Sequence, residues 1–254
     1  MTKTRWIARQ LPFFLLVLLC VEVHAAKLAI VIDDLGYQAM PTALAQLPSA
    51  ISVAILPDTP YAAQIHHAAK QQQRDILLHM PMEPSRPAPL EPSTLMRQMN
   101  KATLQATLHR ALQQLPDAIA MNNHMGSALT QDTQATGWVM EVLAQQGLHF
   151  LDSRTTPRSI AHEQAAQHQV AVLYRHIFLD HERNATFIRQ QLRRAMQQAK
   201  RHGVAIAIGH PYPITLETLQ QWLPQLPHAD ITLVKLSALY PSRTLPSPVH
   251  TAPH

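Results

Sequence analysis

The chain has 254 residues, 21 Lys and Arg against 16 Asp and Glu, a formal charge of +5 at pH 7, and a single cysteine, Cys20. One cysteine excludes an intrachain disulfide framework. The positive charge is mild and contains no basic run, so a nucleic-acid partner is not expected.

The first 25 residues have the form of a secretory signal peptide: Lys3, Arg5 and Arg9, then an apolar run over Leu11–Val23 broken by Pro12 and Glu22, then Val23-His24-Ala25 as a small-residue cleavage site. The apolar run is shorter than the ~20 residues a bilayer span needs. Cleavage after Ala25 would place the mature chain in the periplasm or outside the cell. It would remove Cys20, and the loss of three cations and Glu22 would lower the formal charge from +5 to +3. An uncleaved N-terminal anchor is the alternative. Residues 26–240 then form one domain, a size suited to a single core.

Short apolar runs recur along that domain. Strands are predicted at Lys27–Asp33, Ala50–Leu56, Asp75–His79, Ala118–Asn123, His149–Asp152, Val170–Leu173, Val204–Gly209 and Ile231–Val234. Most are continuous rather than alternating, the pattern of parallel strands buried on both faces. Between them lie helical stretches. In Asn100–Leu115 the residues Leu104, Leu108, Leu112 and Leu115 share one face. Thr186–His202 repeats the pattern, with Thr130–Gln146 and Ile214–Leu223 as weaker copies; Gly147 and Gly203 stand where C-cap glycines belong. The alternation implies right-handed βαβ units. Seven or eight mostly parallel strands favour a distorted (β/α) barrel over a doubly wound open sheet. Met80–Pro92 holds five prolines and reads as a stiff, extended loop; 241–254 reads as a disordered Pro-rich tail.

Functional groups of such barrels gather at the C-terminal ends of strands. Five of the predicted strands end in an Asp or His: Asp33-Asp34, His79, Asn122-Asn123-His124, Asp152 and Gly209-His210. Each has an ordinary structural role open to it, since Asp caps helices and turns well and a lone His is often only hydrogen-bonded. Adjacent carboxylates repel and call for a cation or a shared proton. Together, two imidazoles and one carboxylate make a facial set suited to zinc or a similar divalent ion. A neighbouring carboxylate can act as base and another imidazole as acid.

The set Val31-Ile32-Asp33-Asp34-Leu35-Gly36-Tyr37, Leu77-Leu78-His79-Met80-Pro81-Met82-Glu83-Pro84, Asn122-Asn123-His124-Met125-Gly126-Ser127, Phe150-Leu151-Asp152-Ser153 and Ala207-Ile208-Gly209-His210-Pro211 resembles the divergent polysaccharide deacetylases. The resemblance runs in order over nearly the whole mature chain. It implies a barrel of the carbohydrate esterase family 4 type, a zinc-like divalent cofactor and a glycan substrate from which acetyl groups are removed. By resemblance Asp33 is the base, Asp34 and His79 are metal ligands, His210 is the general acid, and Asp152 is a supporting acid. Ordinary members carry a second histidine four residues after the first; Glu83 stands there instead, so the third ligand is assigned to His124, with Glu83 as an alternative ligand, a supporting residue or a loop residue. Their Arg-Pro motif, which orients the base, has no counterpart; Asn122, Asn123 or Arg154 would replace it. Tyr212 follows His210 and could stack on a sugar ring. The competing reading is a glycan-binding accessory protein that keeps the barrel without turnover.

Overall fold

The computed structural model describes residues 25–241. The signal-peptide and Pro-rich-tail expectations fall outside the described residues, apart from Ala25 and Pro241. No helix among the described residues is long and apolar enough to cross a membrane.

One parallel sheet carries the domain. Its strands are β1 (Ala26–Leu35), β2 (Ser52–Ile55), β3 (Ile76–Met82), β4 (Ala118–Met125), β5 (His149–Asp152), β6 (Val172–Tyr174), β7 (Ile177–Phe178), β8 (Val204–Gly209) and β9 (Ile231–Leu233). The order is β6-β5-β4-β3-β2-β1-β8-β7, and β9 also pairs with β1. β8 runs along one edge of β1 from Lys27 to Ile32; β9 pairs with Ala26–Leu28 and β2 with Val31–Leu35. A strand has two edges, so β2 and β9 share the second edge at different heights. β6 and β7 are not paired with each other among the described residues, which leaves the barrel curled but not closed.

Helices α1 (Thr42–Gln46), α2 (Ala62–Gln71), α3 (Lys101–Gln114), α4 (Thr133–Gln146), α5 (Ala161–Gln167), α6 (Ala185–His202) and α7 (Pro213–Trp222) fill the crossovers. Their ends follow from local chemistry. Asn100, Asp132 and Asn184 each accept the backbone N–H of the residue three further on, at 2.8–2.9 Å, satisfying a donor the helix cannot. Gly147 and Gly203 close α4 and α6 with φ of 67° and 80°, a conformation costly to other residues.

Side-chain alternation divides the core. Leu28, Ile30 and Ile32 of β1 face the helices in the larger cluster. Ala29 and Val31 face inward with Ala54, Leu77, Ala120, Leu151, Ile206 and Ile208. Continuing that inward parity along each strand reaches Asp33, His79, Asn122 and His124, Ser153 and His210. Period-two geometry thus aims these groups at one rim.

The extended-loop expectation for Met80–Pro92 needs correcting at its start, because β3 continues to Met82. The Pro81 carbonyl accepts the N–H of Leu95 at 2.8 Å, and Glu83 N–H returns to the Leu95 carbonyl at 2.9 Å. Pro81 therefore turns its backbone edge toward the returning loop, not toward β4, and its missing N–H breaks no bond of the β3–β4 ladder.

Candidate metal centre and its flanking acid and base

Adjacent residues on a strand point to opposite faces, so Asp33 and Asp34 should diverge. Asp34 instead adopts φ 57°, and β1 loses its register with β2 between Ile32 and Leu35. Asp, with its short polar side chain, tolerates this left-handed conformation better than most residues. The consequence is that both carboxylates reach the rim. Asp33 is almost fully buried, and Asp34 is partly exposed.

Asp34 Oδ1 lies 3.0 Å from His79 Nε2 and 2.8 Å from His124 Nδ1, and the two imidazole nitrogens are 3.2 Å apart. The Asn122 amide decides what those atoms are. Its Nδ2 donates to both oxygens of Asp33, at 2.9 and 3.0 Å. Its Oδ1 must then accept from His79 Nδ1–H, at 2.9 Å. In the neutral ring this leaves His79 Nε2 as a bare lone pair facing a carboxylate oxygen. Three ligand atoms of Asp34, His79 and His124 thus converge within 4.8 Å, and only protons or a cation can satisfy them. Two imidazoles, one carboxylate and an outer amide that sets the tautomer suit a divalent ion with open positions.

The electrostatics agree. Burial opposes a charge on His79, but the nearby Asp33 and the hydrogen bond to Asp34 outweigh it and hold its pKa at about 9. Burial would raise Asp34, but hydrogen bonds from His124 and His79 overcome it and hold the carboxyl well below the usual range. Burial pushes Asp33 upward against the opposing pull of His79 and His210.

His210 stands on the other side, its Nε2 3.5 Å from Asp34 Oδ2. The β1–β8 register, Ile32 opposite Gly209, brings Asp33 and His210 to the same level. Asp180 receives the His210 backbone N–H at 2.7 Å, its Nδ1–H at 2.9 Å, and the Thr215 hydroxyl at 2.9 Å. Burial works against a charged His210, but the hydrogen bond to Asp180 and the charge of that carboxylate raise its pKa.

The other expected residues stand around the cluster. Glu83 is held by Arg97, through its guanidinium at 2.8 Å and its backbone N–H at 2.7 Å, and is not part of the three-ligand cluster. Asn123 accepts Ser153 N–H and donates to the Met125 carbonyl, so it braces the rim loops. Asp152 accepts the Arg154 backbone N–H at 2.7 Å, the turn-capping role. Of the three suggested replacements for the base-orienting arginine, Asn122 is the one that contacts Asp33. Tyr212 lies 5.5 Å from the His210 ring, under the Arg183 guanidinium at 3.9 Å.

Sequence reading missed Asp180 and Arg175. The signal for Asp180 was present: Ile177-Phe178-Leu179-Asp180 is another apolar run ending in Asp. Its strand, β7, spans only two residues, too short for a periodicity to register.

The sequence profile of the divergent polysaccharide deacetylases matches residues 30–240. The chain belongs to the divergent polysaccharide deacetylase family. It is 42% identical over 230 residues to the uncharacterized protein YibQ of Escherichia coli K12, covering 90% of this chain and 72% of that one. It is 44% identical over 216 residues to an uncharacterized protein of Haemophilus influenzae, covering 85% and 77%. The crystal structure of ATU2773 from Agrobacterium tumefaciens C58 superposes with a TM-score of 0.80 at 22% identity, over 86% of this chain and 90% of that one. That likeness speaks for the fold. This member of the divergent polysaccharide deacetylase family has the curled parallel barrel and a three-residue cluster able to hold a divalent metal.

Proposed function

We propose that the protein is a metal-dependent hydrolase that removes acetyl groups from an envelope or extracellular glycan, outside the cytoplasm. The observation that carries this reading is the cluster of Asp34, His79 and His124 flanked by Asp33 on one side and a His210–Asp180 pair on the other. The family supplies the glycan, and the N-terminal sequence supplies the compartment.

Zinc suits the donor set and, when bound, would supply Lewis acidity toward a carbonyl oxygen and toward water. The remaining work falls to the chain. Asp33, the base, takes a proton from the attacking water; burial raises its pKa, which makes it a stronger base than an exposed carboxylate. Asn122 holds both its oxygens and keeps it aimed. His210, the general acid, gives a proton from Nε2 to the departing amine or alcohol. Asp180 is a positioning residue: with Nδ1–H donated to it, Nε2 is the atom left to face the site.

Acetate release from acetylated chitooligosaccharides and acetylated envelope glycans by the zinc-loaded protein tests this. Release that Asp33→Asn lowers by about 10²-fold or more is expected. A protein that holds zinc but releases no acetate from any of these glycans would overturn the enzymatic reading in favour of a glycan-binding accessory role.

A further inference from the structure

The rim holds two depressions that share Asp34 and His210 as a common wall. One, of about 280 Å³, runs past Tyr37, Gln38 and Tyr212. The other, of about 420 Å³, holds the ligand cluster itself together with Asp33 and His210, and continues past Ser153 and Phe178 to two arginines, Arg154 and Arg175. A glycan passing Asp34 and His210 would extend into both. Only the second depression carries arginines.

We propose that the arginine end of the second depression is an oxyanion subsite, and that the acylated glycan bears a carboxylate or phosphate group on the sugar seated there. The inference rests on the glycan reading above and adds a substrate class to it.

Both guanidiniums are held ready for such a ligand. Arg175 lies over the Phe178 ring at 5.0 Å, and Arg154 over the Tyr174 ring at 5.1 Å. Stacking occupies the face of a guanidinium and leaves its edge N–H groups free to donate. Arg175 spends Nε on the Ser153 carbonyl at 2.7 Å and Nη2 on the Arg154 carbonyl at 3.0 Å. Its Nη1 and the whole Arg154 guanidinium make no hydrogen bond among the described residues. Neither arginine forms an ion pair with a carboxylate there, although Asp33 and Asp152 act on Arg175 at longer range.

The backbone pays for this placement. Arg154 sits at φ 48°, a left-handed conformation unfavourable to a long side chain. Asp152 holds that turn by accepting the Arg154 N–H. Two like charges are thus brought together on one wall, where each repels the other. With a divalent ion held by Asp34 and two neutral imidazoles, the ion and the Asp33–Asp34 pair cancel. Asp152 offsets one of the two guanidinium charges; the other remains unmatched, and a carboxylate or phosphate fits the fork geometry of the pair.

The test compares three disaccharides by calorimetry on the zinc-loaded protein: N,N′-diacetylchitobiose, the same sugar with a lactyl carboxylate on one ring, and its 6-phosphate. The anionic ligands are expected to bind at least tenfold more tightly than the neutral one, with the gap shrinking in 0.5 M salt as ionic contacts should. Whichever anion binds better identifies the source of the charge. Arg154→Asn removes the guanidinium while suiting the left-handed backbone, and should narrow the gap to under threefold; Arg154→Lys should keep part of it. Thermal unfolding of both variants checks that the fold is intact. Equal affinity for neutral and anionic ligands overturns the subsite and leaves the glycan reading standing, as does an unchanged gap in Arg154→Asn. Failure of all three to bind overturns the glycan reading and the subsite with it.

Discussion

Asp180 holds His210 at two points, accepting its backbone N–H at 2.7 Å and its Nδ1–H at 2.9 Å. The imidazole is thereby fixed in both tautomer and direction, which a single contact would not achieve. Asp180→Asn keeps the shape but can turn an N–H toward Nδ1 and favour the wrong tautomer. Acetyl release should fall by about 10²–10⁴-fold in kcat with little change in KM. The alkaline-side pKa of the kcat profile, which reports loss of the His210 proton, should also move down, because Asp180 is the leading support of the raised His210 pKa.

Metal affinity should depend on pH in a defined direction. In the metal-free protein, burial of His79 is outweighed by Asp33 and Asp34, and its pKa is about 9. Near neutrality a proton therefore occupies the nitrogen that a metal would need. Zinc should displace that proton, and apparent affinity should rise about tenfold per pH unit from 7 toward 9 before levelling. Competition with a chelator of known affinity measures this. The stability of the metal-free protein has the opposite trend: the contribution of protonated His79 is full below about 6.5 and is lost as pH rises through about 9.

Asp34→Asn and His124→Ala should each abolish stoichiometric zinc by elemental analysis. Adding zinc at about 100-fold over its dissociation constant should raise wild-type stability by about 2.7 kcal/mol and leave these variants unmoved. Glu83→Gln should keep full zinc content, since Arg97 and not the ligand cluster engages that carboxylate.

Gly36 tests the first rim loop. Its φ is 138°, and an added Cβ would clash with Thr59 Oγ1. Thr59 cannot simply swing aside without giving up its hydrogen bond to the Leu56 carbonyl at 2.8 Å. Gly36→Ala should destabilise the protein by about 1–3 kcal/mol in urea unfolding.

Arg74 is the corresponding test at the far end of the strands. Its buried guanidinium donates to the carbonyls of Leu44, Leu47, Pro48 and Ile51, binding α1 and the α1–β2 connection to the segment that enters β3. Arg74→Met would leave those acceptors without their donor, and a loss of about 2–4 kcal/mol is expected by the same unfolding measurement.

The residues themselves carried much of this. Continuous apolar runs identified β1, β2, β3, β4, β5 and β8 because strands covered on both faces need no polar alternation. The polar residues terminating those runs include all three members of the candidate cluster; the resemblance to the family singled out Asp34 and His79 among them, and His124 where Glu83 stands at the position of the family's second histidine. The runs at Val170–Leu173 and Ile231–Val234 likewise mark β6 and β9, but the short helices were not legible in the same way. Helices α1 and α5 have five and seven residues, too few turns for an amphipathic pattern to stand out.

Sequence alone determined which chemical groups end the strands, because hydrophobic runs and the polar residues that stop them are local properties of the chain. Only the tertiary structure decided how those groups are placed relative to one another. Asp33 and Asp34 are neighbours of identical type, and a left-handed turn at Asp34 sends one to the ligand cluster and leaves the other buried against Asn122. Asp180 and His210 are 30 positions apart, and meet because β7 lies beside β8 in the sheet. Such pairings depend on register and backbone handedness, and neither is written in the composition of any single segment.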